Sequence, residues 1–102
     1  MKEEKFTDAQ WCQIELGKQH GLEEKQLALY ANPAFNEEQM EQIRWGLEQG
    51  FPMEKLKLLA VPHFNVEQIR AILWAIEAGL SENKLLEIAN PSLSAEEMVR
   101  RF

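Results

Sequence analysis

Apolar residues return along this chain in two alternating stripes. Between Phe35 and His63, Met40, Ile43 and Leu47 stand at i, i+3 and i+7, which is one face of a helix. Leu56, Leu59 and Ala60 form a shorter second stripe. Both stripes recur 29 residues to either side. Trp11 and Ile14 precede Leu27, Tyr30 and Ala31; Ile69, Ile72 and Ile76 precede Leu85, Ile88 and Ala89. Other columns keep the same step: Phe6, Phe35, Phe64 and Leu93; Gly21, Gly50 and Gly79; Pro33, Pro62 and Pro91. The stripes predict helices over 8–20, 24–31, 37–49, 53–60, 66–78, 82–89 and 95–102, with core positions on the two facing stripes.

Local signals mark where these helices begin and end. Asn36 followed by Gln39 is a capping box, and Phe35 with Met40 is the hydrophobic staple around it. Phe6, Thr7, Gln10 and Trp11 repeat the arrangement, as do Phe64, Asn65, Gln68 and Ile69, and Leu93, Ser94, Glu97 and Met98. Each longer helix is predicted to stop at its glycine, followed by Leu22, Phe51 or Leu80, because glycine accepts the left-handed geometry that ends a helix. Pro52 suits the first turn of the next helix and Ser81 suits a cap. The prolines at 33, 62 and 91 end the shorter helices, since the residue before proline avoids helical geometry. Gly17, Gly46 and Ala75 fall in mid-helix, where a small residue admits a neighbouring helix.

A fixed period of this size is the mark of a repeat array whose units bury their apolar faces against one another. The expected fold is all-α, a short α-solenoid of stacked helical hairpins in a single domain over residues 1–102. Its repeats are 6–34, 35–63 and 64–92, with a partial fourth repeat at 93–102. The ends differ from the middle. Lys18 replaces the Leu47/Ile76 column, so the outer face of the first unit is expected to be wet, and Arg101 replaces the Ile14/Ile43/Ile72 column. The single helix of the fourth unit either caps the stack or leads into further repeats.

The strings NPAFNEEQMEQIRWGLEQGF and LKLLAVPHFNVEQIRAILWAIEAGL resemble a repeat found in bacterial proteins of unknown function, some associated with mobile genetic elements. The shared pattern is F-x-x-x-Q-M-x-x-I-R-x-G-L-E-x-G-L with a later A-x-P, and the resemblance spans residues 6–102. It implies architecture and carries no catalytic residue. Arg44 matches the arginine of the pattern, but Glu15 and Leu73 stand in that column in the neighbouring units, so the arginine is not a shared functional residue.

The net charge of −6 and a pI near 4.9 argue against nonspecific binding to nucleic acid or to anionic lipid. A lone cysteine, Cys12, cannot form an internal disulfide and fits a reducing compartment. With no run long enough for a membrane span or a signal-peptide core, the chain reads as cytoplasmic. Cys12 and His20 stand eight residues apart on one helix, about 12 Å along its axis, too far for proton transfer, and the thiol is expected to be half-buried. His20 and His63 lack metal-ligand spacing, and no loop has phosphate-binding glycines. The pairs Glu23–Glu24, Glu37–Glu38 and Glu96–Glu97 fall in first helical turns, where they favour the helix dipole. No enzyme activity, cofactor or metal is expected.

One column carries a functional reading. Leu16, Trp45 and Trp74 share a repeat position about 140° around the helix from Met40, among polar neighbours. They either cover the glycine stop, with Leu22, Phe51 and Leu80 folding back on them, or form an exposed ridge for a partner. The expected function is a non-enzymatic module binding a protein or peptide through Leu16, Trp45 and Trp74, rimmed by Glu41, Glu48, Arg70 and Glu77. Self-association through the end faces, or an acidic regulator or decoy of a mobile element, are the alternatives.

Overall fold

The computed structural model describes residues 6–102. Over these the chain is all-helical: α1 (Asp8–Gln19), α2 (Glu24–Tyr30), α3 (Glu37–Glu48), α4 (Met53–Leu56), α5 (Val66–Glu77), α6 (Glu82–Ile88) and α7 (Ala95–Arg100). α1 packs on α3, α3 on α5 and α5 on α7, while α2, α4 and α6 fold back on the longer helix before them. The molecule is flat and elongated, 43 × 25 × 15 Å.

The caps form as the local patterns predict. Thr7, Asn36, Asn65 and Ser94 accept from the backbone N–H three residues on, and Gln10, Gln39, Gln68 and Glu97 reach back to close each box. Glu23 and Gln26 make a further box at α2 that the repeat columns do not signal. Gly21, Gly50 and Gly79 all have positive φ, between 83° and 91°. α4 is shorter than expected, four residues rather than the predicted 53–60. Leu58 and Leu59 donate to Lys55 and Leu56, so the chain tightens to i→i+3 bonding instead of continuing as an α-helix. Pro52 sits at the cap, one place before the first turn.

The core follows the stripes. Ile14, Met40, Ile43, Leu47, Ile69, Ile72 and Ile76 are buried from the longer helices, and Tyr30, Leu56, Leu59, Leu85 and Ile88 from the shorter ones. Gly46 explains how closely they meet: a Cβ there would lie 2.9 Å from a terminal carbon of Leu56 and equally close to one of Leu73. Some core expectations need correction. Trp11 is not core; it is 38% exposed and stacks edge-on against Phe6, with ring centroids 5.1 Å apart. Met40 and Ile69, in its column, are buried on helices that pack on an earlier one, α3 on α1 and α5 on α3, and among the described residues no helix precedes α1. Leu27, Ala31, Ala60 and Ala89 are only half-buried and pack at the edge of the core.

One set of contacts ties each hairpin to the next. The Gln10 side-chain amide, while closing its own cap, donates to the carbonyls of Pro33 and Phe35 at 3.2 and 2.6 Å. Gln39 donates to Pro62 and Phe64 at 3.3 and 2.6 Å, and Gln68 to Pro91 and Leu93 at 3.0 and 2.7 Å. All three glutamines are buried, which is tolerable because their polar atoms are bonded. These bonds hold the start of α3 beside that of α1, and the start of α5 beside that of α3. The longer helices therefore run side by side in the same direction.

Candidate functional site

A groove of about 500 Å³ lies between α3 and α5. From α3 it is lined by Glu41, Gln42, Arg44, Trp45 and Glu48, and from α5 by Arg70, Leu73, Trp74 and Glu77. Six of the seven residues singled out in the sequence meet here. Leu16 does not. It is half-buried on α1 and lies outside the groove, which opens one helix further along.

The reason lies in one column. Between α1 and α3 the space is bridged by polar side chains: Arg44 Nε donates to Gln13 Oε1 at 2.9 Å, and His20 Nδ1 lies 2.6 Å from Glu48 Oε2. Arg44 also donates to Glu48 Oε2 at 2.8 Å, so one carboxylate oxygen takes both contacts. An ionised carboxylate only accepts, so Nδ1 carries the proton in the His20 pair. Between α3 and α5 the position equivalent to Arg44 is Leu73. It is buried against Gly46 and reaches across to no polar partner. A short apolar side chain in place of a bridging guanidinium leaves the groove open, with Leu73 at its base.

Burial works against the Glu48 carboxylate, but hydrogen bonds from His20 and Arg44 outweigh it and hold the carboxyl below its ordinary value. Beneath this cluster, burial pushes the Tyr30 phenol up to about 12, with the nearby Arg44 opposing. The Tyr30 hydroxyl donates to the Gln13 carbonyl at 2.8 Å, a structural bond.

Trp45 and Trp74 flank the groove. The Trp45 ring is 38% exposed and meets Phe51 edge-on at 5.6 Å, so it both covers the glycine stop and keeps an edge in solvent. Trp74 is 61% exposed and also walls a second groove of about 420 Å³ between α5 and α7, where Ala71, Ala95 and Val99 lie among Glu67, Arg70, Glu96 and Arg100. It is therefore a ridge with a depression on each side.

No family model matches the chain, and no curated protein or solved structure is significantly similar to it.

Cys12 is exposed, not half-buried, because its column faces away from the core, like Glu41 and Arg70. His20 engages Glu48. Among the described residues no three His, Cys, Asp or Glu side chains converge as a metal site needs. No helix among them is long and apolar enough to cross a membrane. The chemistry on offer in the groove is aromatic surface, an apolar floor and a rim of three carboxylates and two guanidiniums.

Proposed function

We propose that this chain is a non-enzymatic helical-repeat module, a short α-solenoid of three 29-residue hairpins and a further helix, that binds a protein or peptide along the face of Trp45 and Trp74. The observation that carries the reading is the gathering of both tryptophans, Glu41, Glu48, Arg70 and Glu77 around one open groove. Large exposed indoles beside a depression are the side chains that dominate binding energy when a partner covers them. The resemblance of the 29-residue unit to bacterial repeat arrays points the same way, and a cytoplasmic setting suits its single unpaired cysteine. The test is capture of a partner from the native cell with wild-type bait beside Trp45→Ala/Trp74→Ala bait. Partner retained by the first and lost by the second, with helix content unchanged by circular dichroism, supports the module. Equal retention by both excludes this face.

Self-association is the second reading, favoured by apolar exposure at the two ends of the helix row: Trp11 at one, Val99 and Phe102 at the other. Light scattering across a hundredfold concentration range decides it, because a constant monomer mass excludes it.

A further inference from the structure

The charge layout of the α3–α5 groove specifies its occupant more narrowly than a peptide in general. The two helices run in the same direction, so their C-terminal ends, each with a partial negative charge, lie together at one end of the groove. Glu48 and Glu77 stand in those last turns, and neither helix carries a basic residue there. α1, α4 and α7 do, with Lys18, Lys55 and Arg100. Of the two guanidiniums in the groove, Arg44 is committed to Glu48 and Gln13. Arg70 lies about 10 Å along α5 from Glu77, in the half of the groove that also holds Glu41. The Glu48 carboxylate is taken up by Arg44 and His20, and the Lys55 ammonium donates to the Leu80 carbonyl just beyond α5 at 3.2 Å, so the carboxylate left to a ligand beside the exposed indoles is Glu77, with aromatic walls around it and Leu73 at the base. Indole faces and carboxylates attract the same kind of group, a cation on an apolar stem.

We infer that the groove takes a peptide segment presenting an arginine or lysine, whose cationic head lies between the two indoles and the ends of α3 and α5 while an adjacent apolar residue covers Leu73. This rests on the peptide-binding reading of the face. The stem of the basic residue supplies apolar contact to Trp74, and Glu77 accepts from its head. The net charge of −6 brings such a partner in at long range.

The experiment is selection of a phage-displayed random dodecapeptide library on the full chain, in parallel with Trp74→Ala and Glu77→Gln. Both of those side chains are exposed, so neither variant is expected to unfold. Selected peptides should carry an arginine or lysine beside an apolar residue and be lost on Trp74→Ala. Synthetic copies with citrulline for arginine, of the same shape without charge, should bind roughly tenfold more weakly. Glu77→Gln should weaken the arginine peptide severalfold and leave the citrulline peptide unchanged. A titration followed through the indole N–H signals needs no variant: those of Trp45 and Trp74 should move and that of Trp11 should not. Trp74-dependent peptides without a basic residue, or equal binding of arginine and citrulline copies, would overturn the cation and leave the module standing. No Trp74-dependent peptide, or shifts confined to Trp11, would overturn both.

Discussion

Replacing Gln39 by glutamate separates two tasks that one side chain performs. Its carbonyl oxygen accepts from the Asn36 backbone N–H at 2.7 Å, closing the cap, and its amide nitrogen donates to Pro62 and Phe64. Glutamate keeps the first task. Glu97 shows this at the equivalent position, where Oε1 accepts from Ser94 at 2.8 Å. It cannot perform the second. The bonds to Phe64 and Pro62 are each worth about 0.5–1.5 kcal/mol net, and leaving a buried acceptor without its donor costs about 1–3 kcal/mol. At 5% exposure, the new carboxylate also points its charge at two carbonyl oxygens. A loss of about 3–5 kcal/mol at pH 7 follows, a large share of the about 5–15 kcal/mol typical of a domain.

Urea unfolding at pH 7 and pH 5 tests the reasoning. The carboxyl in this setting is easier to protonate folded than unfolded, so its folded pKa is raised. Between the unfolded and folded values the native state holds the extra proton, and stability falls as pH rises. Acidification from pH 7 to 5 should therefore return about 1–2 kcal/mol to the variant relative to wild type, as the protonated acid donates to one carbonyl again. Glu97→Gln, at an exposed site with no described loop to hold, should change stability by less than about 0.5 kcal/mol. A cost for Gln39→Glu below about 1 kcal/mol, or one that ignores pH, would refute the claim that these amides lock the hairpins together.

Leu56 is fully buried against Gly46, so Leu56→Ala should cost about 2–5 kcal/mol by urea or thermal unfolding. Gly50 has φ +83° with open space around its Cβ position, so Gly50→Ala should lose more than about 1 kcal/mol through backbone strain alone. A neutral result would place that residue in another conformation. Glu48 has a lowered folded pKa, so what its carboxylate contributes is present above the ordinary carboxylate value and lost as pH falls through the lowered one. The stability difference between wild type and Glu48→Gln, about 1 kcal/mol or less at pH 7, should shrink on acidification to pH 3.

The parts of the fold legible in the chain are those whose causes are local. A capping box spans three residues and a glycine stop one, so Asn36, Gln39 and Gly50 state their roles without reference to anything distant. The tie between hairpins was not legible, because the acceptors of the Gln10 amide lie 23 and 25 residues away. A signal for it existed. Glutamine and glutamate close a capping box equally well, so three glutamines and then Glu97 in one column mean that something beyond the cap selects the amide. Trp11 misled because position in a column predicts burial only where a neighbouring unit supplies the cover. The polar bridge of His20, Glu48 and Arg44 was missed for the same reason as the amides: its members come from different units.

The groove arises where the repetition breaks. Columns that hold one residue type across the three full repeats, such as the three glutamines and the three stopping glycines, build the frame and cannot distinguish one interhelical space from the next. Columns that change do so. Arg44 and Leu73 occupy one position, yet the first fills the gap between α1 and α3 with a polar bridge and the second leaves the gap between α3 and α5 open over an apolar floor. Glu41 and Arg70 likewise share a position and place opposite charges in the same half of the groove. Converting Leu73 to arginine should therefore do what Arg44 does one helix earlier: cross the groove, pair with Glu77 four residues on, and close the space between the indoles. Heteronuclear NMR would show the Trp45 and Trp74 indole signals shifted while the fold persists, and selected peptides would no longer bind. Peptides that still bound Leu73→Arg with unchanged affinity would mean that the open groove is not what the partner uses.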